Sequence, residues 1–200
     1  MEWQPRADWY LQARIQLDVY GNILFDQQRY SKAIVKRYFS NAIPNALDEN
    51  KLKYANPLPS DMKFTSSDCS DSPAAVKELE TTYGFRPIEA VASLNFLVNT
   101  AFEELFAVRK LCSHMALPGV RHFKALLHLL HHIRCHPPNA LCYYTNPTQS
   151  PLASLLRKVD LSNIDPFFIT MTDSSRGDCN LQRSTGCYIV FLQGGVIDLS

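Results

Sequence analysis

The chain has 200 residues, 46 % hydrophobic and 20 % charged, and its twenty basic and nineteen acidic side chains leave a formal net charge of +1. This composition suits one or two globular units, excludes a fibrous or disordered chain, and requires any nucleic-acid contact to come from a local patch. No run approaches the roughly 18 apolar residues of a membrane span, Glu2, Arg6 and Asp8 interrupt any leader-like run after Met1, and six cysteines without a Cys-x-x-Cys pair point to reduced thiols in a soluble, intracellular, non-secreted protein.

In chain order, residues 14–19 alternate polar and apolar and Gly21 precedes an apolar return, which predicts a hairpin over 9–25. Asp26 is placed to cap a helix running to about Phe39. Its apolar side holds Tyr30, Ile34, Val35 and Tyr38, and its other side carries Arg29, Lys32 and Lys36. Residues 41–71, with Pro44, Pro57 and Pro59, read as a surface connection. A helix resumes near Ser72-Pro73 and breaks at Gly84. Pro87 then opens one long helical pattern through Leu94, Val98, Ala101, Leu105, Val108 and Cys112. Pro118-Gly119 ends it, and Phe123, Leu126, Leu127 and Leu130 mark a further helix from Val120 to Arg134, stopped by Pro137-Pro138. A short strand spans 140–144. Beyond Pro166 the period turns to β, predicting a three-strand antiparallel meander over 167–171, 186–192 and 196–197.

Three constellations carry possible chemistry. His114, His122, His128, His131, His132 and His136 crowd together with Cys112, Cys135 and Cys142. His128 and His132 share the spacing of a helical zinc motif, but Leu129 and Leu130 stand where that motif needs a general-base Glu. Projection puts this pair beside Arg121 and Lys124, opposite the Phe123/Leu126/Leu130 stripe, where neighbouring cations oppose a divalent ion; this reads first as a solvated polar face, one that could also touch phosphates. No metal site is therefore expected. Asp173 ends an apolar strand, a position from which a carboxylate can reach a metal-binding cleft, yet two-metal nuclease chemistry needs several converging carboxylates. There is no phosphate-binding glycine loop, no Gly-x-Ser-x-Gly elbow and no Asp-Asp pair.

Several segments, taken in order, resemble the polyprotein of copia-type retrotransposons. Trp9-Tyr10-Leu11 through Ile15, then Asp26 through Tyr38, is similar to the strand and helix after the polymerase catalytic strand, and Pro57-Leu58-Pro59 to a short proline-rich connection. Residues 88–94, Phe106-Ala107-Val108 with Leu111, and Pro118-Gly119 with residues 122–127 resemble thumb and connection helices. Thr172-Asp173-Ser174-Ser175, Arg183 through Tyr188, and Gly195-Val196-Ile197 resemble the opening strands of the ribonuclease H domain.

The resemblance implies an α+β fold. Residues 1–40 would be the end of a palm and the start of a thumb-like part, 41–71 a linker, 72–145 a helical thumb/connection-like region, 146–166 a linker, and 167–200 an incomplete, truncated ribonuclease H-like antiparallel sheet. Asp173 would be a vestigial catalytic metal ligand, and Arg29, Lys32, Lys36, Arg121 and Lys124 would face a nucleic-acid duplex. The intact family uses Mg2+ and binds RNA–DNA or DNA duplexes in the cytoplasm or nucleus. The polymerase Tyr-x-Asp-Asp motif would lie before Met1 and the later ribonuclease H ligands beyond Ser200, so the chain alone is expected to be no enzyme, to need no cofactor and to engage no membrane. The alternatives are an interaction module that pairs with the missing polyprotein portions of a separate polymerase chain, or a small zinc protein. The departures lie at Ala101-Phe102-Glu103-Glu104, where the family has Arg-Pro-Asp-Ile, and at His131-His132, where it has Arg and an aromatic residue. An incomplete sheet with an unpaired edge is expected to aggregate.

Overall fold

The computed structural model describes residues 9–10, 12–42, 54–59, 62–146, 149–151, 168–175, 185–192 and 195–199, and for most residues from Phe168 on it describes the backbone alone. The fold is α+β, with helices and antiparallel sheets. Two compact units divide the chain: residues 27–139, and residues 1–26 together with 140–200. No helix among the described residues is long and apolar enough to cross a membrane.

The second of these units holds the hairpin. Strands β1 (Trp9–Tyr10), β2 (Ala13–Leu17) and β3 (Ile23–Asp26) form an antiparallel sheet with β4 (Leu141–Tyr143), in the order β1-β2-β3-β4. Asp18 shapes the β2–β3 turn: its carboxylate accepts from the Tyr20 and Asn22 N–H groups at 2.8 and 2.9 Å, and Gly21 supplies the left-handed φ of 82°. Burial works against the Asp18 carboxylate, but these hydrogen bonds, with the Asn22 side chain, hold its pKa below the ordinary value. Asn22 also fixes the far partner, accepting from the Thr145 N–H at 3.0 Å just past β4. Strands β5 (Phe168–Ser175), β6 (Thr185–Leu192) and β7 (Gly195–Leu199) form a separate three-stranded antiparallel sheet in sequential order, the meander expected from the β-period.

The unit of residues 27–139 is helical. Helix α1 (Gln28–Ala42) begins one turn signal later than expected: Asp26 stays in β3 opposite Arg14, and the Gln27 carbonyl takes the first helical N–H, from Ser31 at 2.9 Å. Gln27 is buried, and its Oε1 accepts from Thr100 Oγ1 at 2.9 Å. Helix α2 (Pro73–Tyr83) has the caps its sequence promised, Ser72 Oγ accepting from the Ala75 N–H and Gly84 leaving at φ 73°. The long pattern after Pro87 is not one helix. It divides into α3 (Pro87–Leu97), a 3-10 turn (Phe102–Glu104) and α4 (Leu105–Cys112). Thr100 makes the break: its hydroxyl is drawn to Gln27 and lies 3.2 Å from the Leu97 carbonyl oxygen, and Ala101 leaves helical geometry at φ −106°, ψ 61°.

Helix α5 (Val120–Cys135) is the centre of this unit, with Phe123, Ala125, Leu126, Leu129 and Leu130 fully buried. Helix α1 packs with α3 and α5, joined to α3 by Tyr30 and Tyr38 at Ser93 and by the edge-on contact of Tyr30 with Phe96. The stretch expected to be a surface connection is in part core. Tyr54, Leu58 and Phe64 are buried, because the chain folds back over α5 and the apolar minority of an otherwise polar segment is what it inserts. A 3-10 turn (Ser66–Asp68) then meets the start of α5, where the Ser70 N–H and Oγ bond the Leu117 and Pro118 carbonyls, both at 2.9 Å.

Gly119 is required by this contact, since a Cβ there would collide with the Asp68 carbonyl oxygen. The substitution Gly119→Ala is expected to lower stability by about 2 kcal/mol through overpacking, read as a lower urea midpoint at unchanged slope. A variant as stable as the parent would show that the turn does not pack here.

Candidate functional site

The histidines of α5 are not the polar outer face that helical projection predicts. His122, His131 and His132 are buried, and His128 is half-buried. The projection considers only the helix, whereas the fold lays residues 54–59 over that side. His131 stacks on Tyr54 at a centroid distance of 4.5 Å and takes the edge of Phe39, and His128 Nε2 donates to the Asn56 carbonyl at 3.0 Å.

His132 stands between two acceptors. Its Nδ1 is 2.7 Å from the Tyr54 carbonyl oxygen, so Nδ1 donates, and its Nε2 is 3.0 Å from Glu104 Oε1. The second contact needs one more proton, and the ordinary affinities of imidazole and carboxylate put it on the ring. Burial pushes the His132 pKa down, but the hydrogen bond and charge of Glu104, the Tyr54 carbonyl and the charge of Glu103 outweigh it and leave the pKa raised. Glu104 is itself 2 % exposed. Glu104 and His132, 28 residues apart, thus prove to be partners, a coupling no linear reading of the residues reveals.

A second cluster lies at the N-terminus of α5, where one ligating atom each from Cys69, His114 and His122 falls within 4.8 Å of the others. Cys69 is the member the sequence did not suggest, brought in by the 66–70 turn. His122 occupies the third helical position and caps the helix in place of a Glu or Gln, its Nδ1 accepting from the Gly119 N–H at 3.0 Å. A ring nitrogen that accepts holds its lone pair, so the single proton of neutral His122 is on Nε2. A metal at either nitrogen has to break that cap: Nδ1 is occupied, and ligation through Nε2 moves the proton to Nδ1, against the Gly119 N–H. Metal-ligating histidines normally direct the second N–H at an acceptor, and His122 presents it with a donor. Phe64 contacts both imidazole rings, and His122 Nε2 is buried with no hydrogen-bond partner among the described residues. Burial first, then repulsion from His114 and Arg121, sets the His122 pKa at about 4, against attraction from Asp68.

Among the basic residues singled out in the sequence, Arg29, Lys32 and Lys36 are exposed along one side of α1 while Ser31, Ile34 and Tyr38 are buried on the other. Lys124 is exposed on α5. Arg121 is engaged, its Nη1 donating to both Asp68 oxygens at 3.0 and 3.2 Å. The Thr65 N–H and then Arg121 hold Asp68 at a pKa of about 2. Arg121 thus ties α5 to the 66–68 turn and has less to offer a phosphate than projection suggests. Asp173 does not end its strand: β5 continues to Ser175, with Asp173 opposite Cys187 and Ser175 opposite Thr185. Its side chain lies outside the described residues. Compared with known proteins, the chain matches no family model, no curated protein and no solved structure.

His122 is depressed from 6.5 to about 4, so the stability it contributes is complete above 6.5 and is lost as pH falls towards about 4. Thermal melts across that window are expected to show an acid-side loss that His122→Gln flattens; an unchanged profile in the variant would place the sensitivity elsewhere. A chelator is expected to leave the melting temperature of the parent unaltered, and a drop would overturn the tautomer argument. Removing the imidazole with His132→Ala strands the buried Glu104 carboxylate and is expected to cost about 3–5 kcal/mol in denaturant titrations.

Proposed function

We propose that the chain is part of a copia-type reverse transcriptase/ribonuclease H polyprotein and that its residues bind duplex nucleic acid weakly and without sequence preference, with no catalysis of their own. The observation that carries this reading is the α1 stripe. Arg29, Lys32 and Lys36 recur at three- and four-residue steps on an exposed face, on a helix whose opposite face is locked into the helical unit. A rigid row of cations spaced along one helix face suits a phosphate backbone, which carries a charge at regular short intervals and is recognised without base contacts. Lys124 adds to the charge of the unit. The ordered likeness of residues 9–197 to the polyprotein, from the hairpin to the Arg183-Ser184-Thr185-Gly186 string, supports the family reading. Asp173 is the only carboxylate that this likeness assigns to the nuclease chemistry, and one carboxylate does not hold two metal ions.

A second reading, an interaction module that completes a separate polymerase chain, is favoured by the hairpin, on which Leu17, Val19 and Tyr20 are 73, 91 and 72 % exposed. Such apolar exposure at one turn suits burial against another protein. Co-purification with a chain carrying the polymerase Asp-Asp strand would favour this reading over the first.

Binding to a fluorescent RNA–DNA hybrid is expected to weaken linearly on a log–log salt plot. Replacing Arg29, Lys32 and Lys36 together by Ala is expected to reduce that slope by about 2–3, and Arg121→Ala by less than a single contact. Salt-independent binding, or a slope untouched by the triple variant, would remove the nucleic-acid reading. With Mg2+ present, neither primer extension nor hybrid cleavage is expected from the parent or from Asp173→Asn, whereas Asp173-dependent cleavage would refute the non-catalytic assignment.

A further inference from the structure

Residues 54–59 cross α5 and are gripped by its histidines. The Tyr54 carbonyl accepts from His132 and the Asn56 carbonyl from His128, while the Tyr54 ring lies flat on His131, 9° from parallel. Pro57 and Pro59 have no N–H to offer, and the Pro59 carbonyl accepts from the Met62 N–H at 3.0 Å, while α5 donates to the Tyr54 and Asn56 carbonyls. We propose that residues 54–59 are a strap latched by the His132–Glu104 pair, closed while the pair shares a proton and released from α5 when that proton is lost.

The latch follows from the order in which the groups can yield. His128 donates to Asn56 through Nε2 whether its ring is neutral or charged, so its titration leaves that bond in place. His132 cannot serve Tyr54 and Glu104 together unless both nitrogens carry protons. On losing one, the ring keeps Nε2–H for the buried Glu104 carboxylate, the stronger charge-assisted bond, and turns a lone pair on the Tyr54 carbonyl, a contact that is then repulsive. Glu104 Oε2 has no hydrogen-bond partner among the described residues, so the carboxylate relies on His132 for compensation. The groups around His132 are Glu103 and Glu104 from the 3-10 turn, the Tyr54 carbonyl of the strap, His128 and His131 of α5, and His136 just past its end, stacked on His132 at 5.0 Å. From α1, Phe39 meets His131 and carries Arg134 over its ring. On the apolar side of α5, Phe123, Leu126 and Leu130 are buried, and Phe123 packs on Tyr83 and Phe85, both outside residues 54–59. Release is therefore local and uncovers the histidine face of α5.

Because the His132 pKa is raised, the latch is at full strength below the ordinary value of 6.5 and is lost as pH climbs through the raised value. Chymotrypsin cleavage after Tyr54, divided at each pH by the rate on an unfolded peptide of the same local sequence, reads the open fraction. The expected result is a rise at Tyr54 as pH climbs from below 6.5 through the raised His132 value, with no matching rise at buried Phe123. In Glu104→Gln the rise is expected to disappear, since the amide can donate to the deprotonated Nε2 and leave Nδ1–H on the Tyr54 carbonyl. A flat ratio in the parent, an equal rise at Phe123, or a rise that persists in Glu104→Gln would each overturn the proposal. Should that variant not fold, the parent profile at Tyr54 against Phe123 decides.

Discussion

Helix α5 is buried over most of its circumference although it carries four histidines, and the arrangement of the helical unit follows from that constraint. Nine of its sixteen residues are buried, three of them His, so each imidazole has to find a polar or aromatic partner inside the protein. His122 takes the cap of its own helix. His131 takes the rings of Tyr54 and Phe39, and His132 takes Glu104 and the Tyr54 carbonyl. These demands recruit residues distant in sequence: the 66–70 turn to one end of α5, the 54–59 segment to its flank, and the turn between α3 and α4 to its C-terminal half. Breaking the long helical pattern at Thr100 is what turns Glu104 inward, and the Thr100 hydroxyl joins Gln27 at the start of α1.

The charged groups of the helical unit lie both in its interior and on its exposed faces. Arg121, Glu104 and Asp68 are engaged within the unit, Arg37 links α1 to Glu89 of α3 at the surface, and Arg86 pairs with Glu89 at the start of α3 itself. Arg29, Lys32, Lys36 and Lys124 remain on exposed faces. The proposed affinity for a phosphate backbone would rest on such a local row of charge, since a net charge near neutral provides no long-range attraction. The opposed titrations of His122 and His132, one losing stability towards acid and the other towards base, place the best-packed state of α5 near neutrality.

Much of the fold was legible wherever the signal is local. Alternation over residues 14–19 located the hairpin, Ser72-Pro73 and Gly84 bounded α2, Pro118-Gly119 opened α5, and the period-two runs after Pro166 located the three-strand sheet. Non-local effects were not legible. Nothing in 141–143 announces that it pairs with β3, and nothing in the Pro-rich 41–71 stretch says that Tyr54, Leu58 and Phe64 enter the core. Helical projection sorted His128 and His132 by their own helix and missed the covering strap. In the candidate site, the α1 stripe could be read from periodicity alone, whereas Cys69 and Glu104 acquire partners only through the tertiary fold.

The measurement that bears most directly on this account is long-range 15N–1H NMR of the histidine rings, which reports tautomer and charge residue by residue. The account predicts that slightly below neutral pH His122 is neutral, with its proton on Nε2 and an accepting Nδ1, while His132 carries protons on both nitrogens. A proton on Nδ1 of His122, or a neutral His132 under those conditions, would contradict the packing of α5 on which the rest of the structure is built.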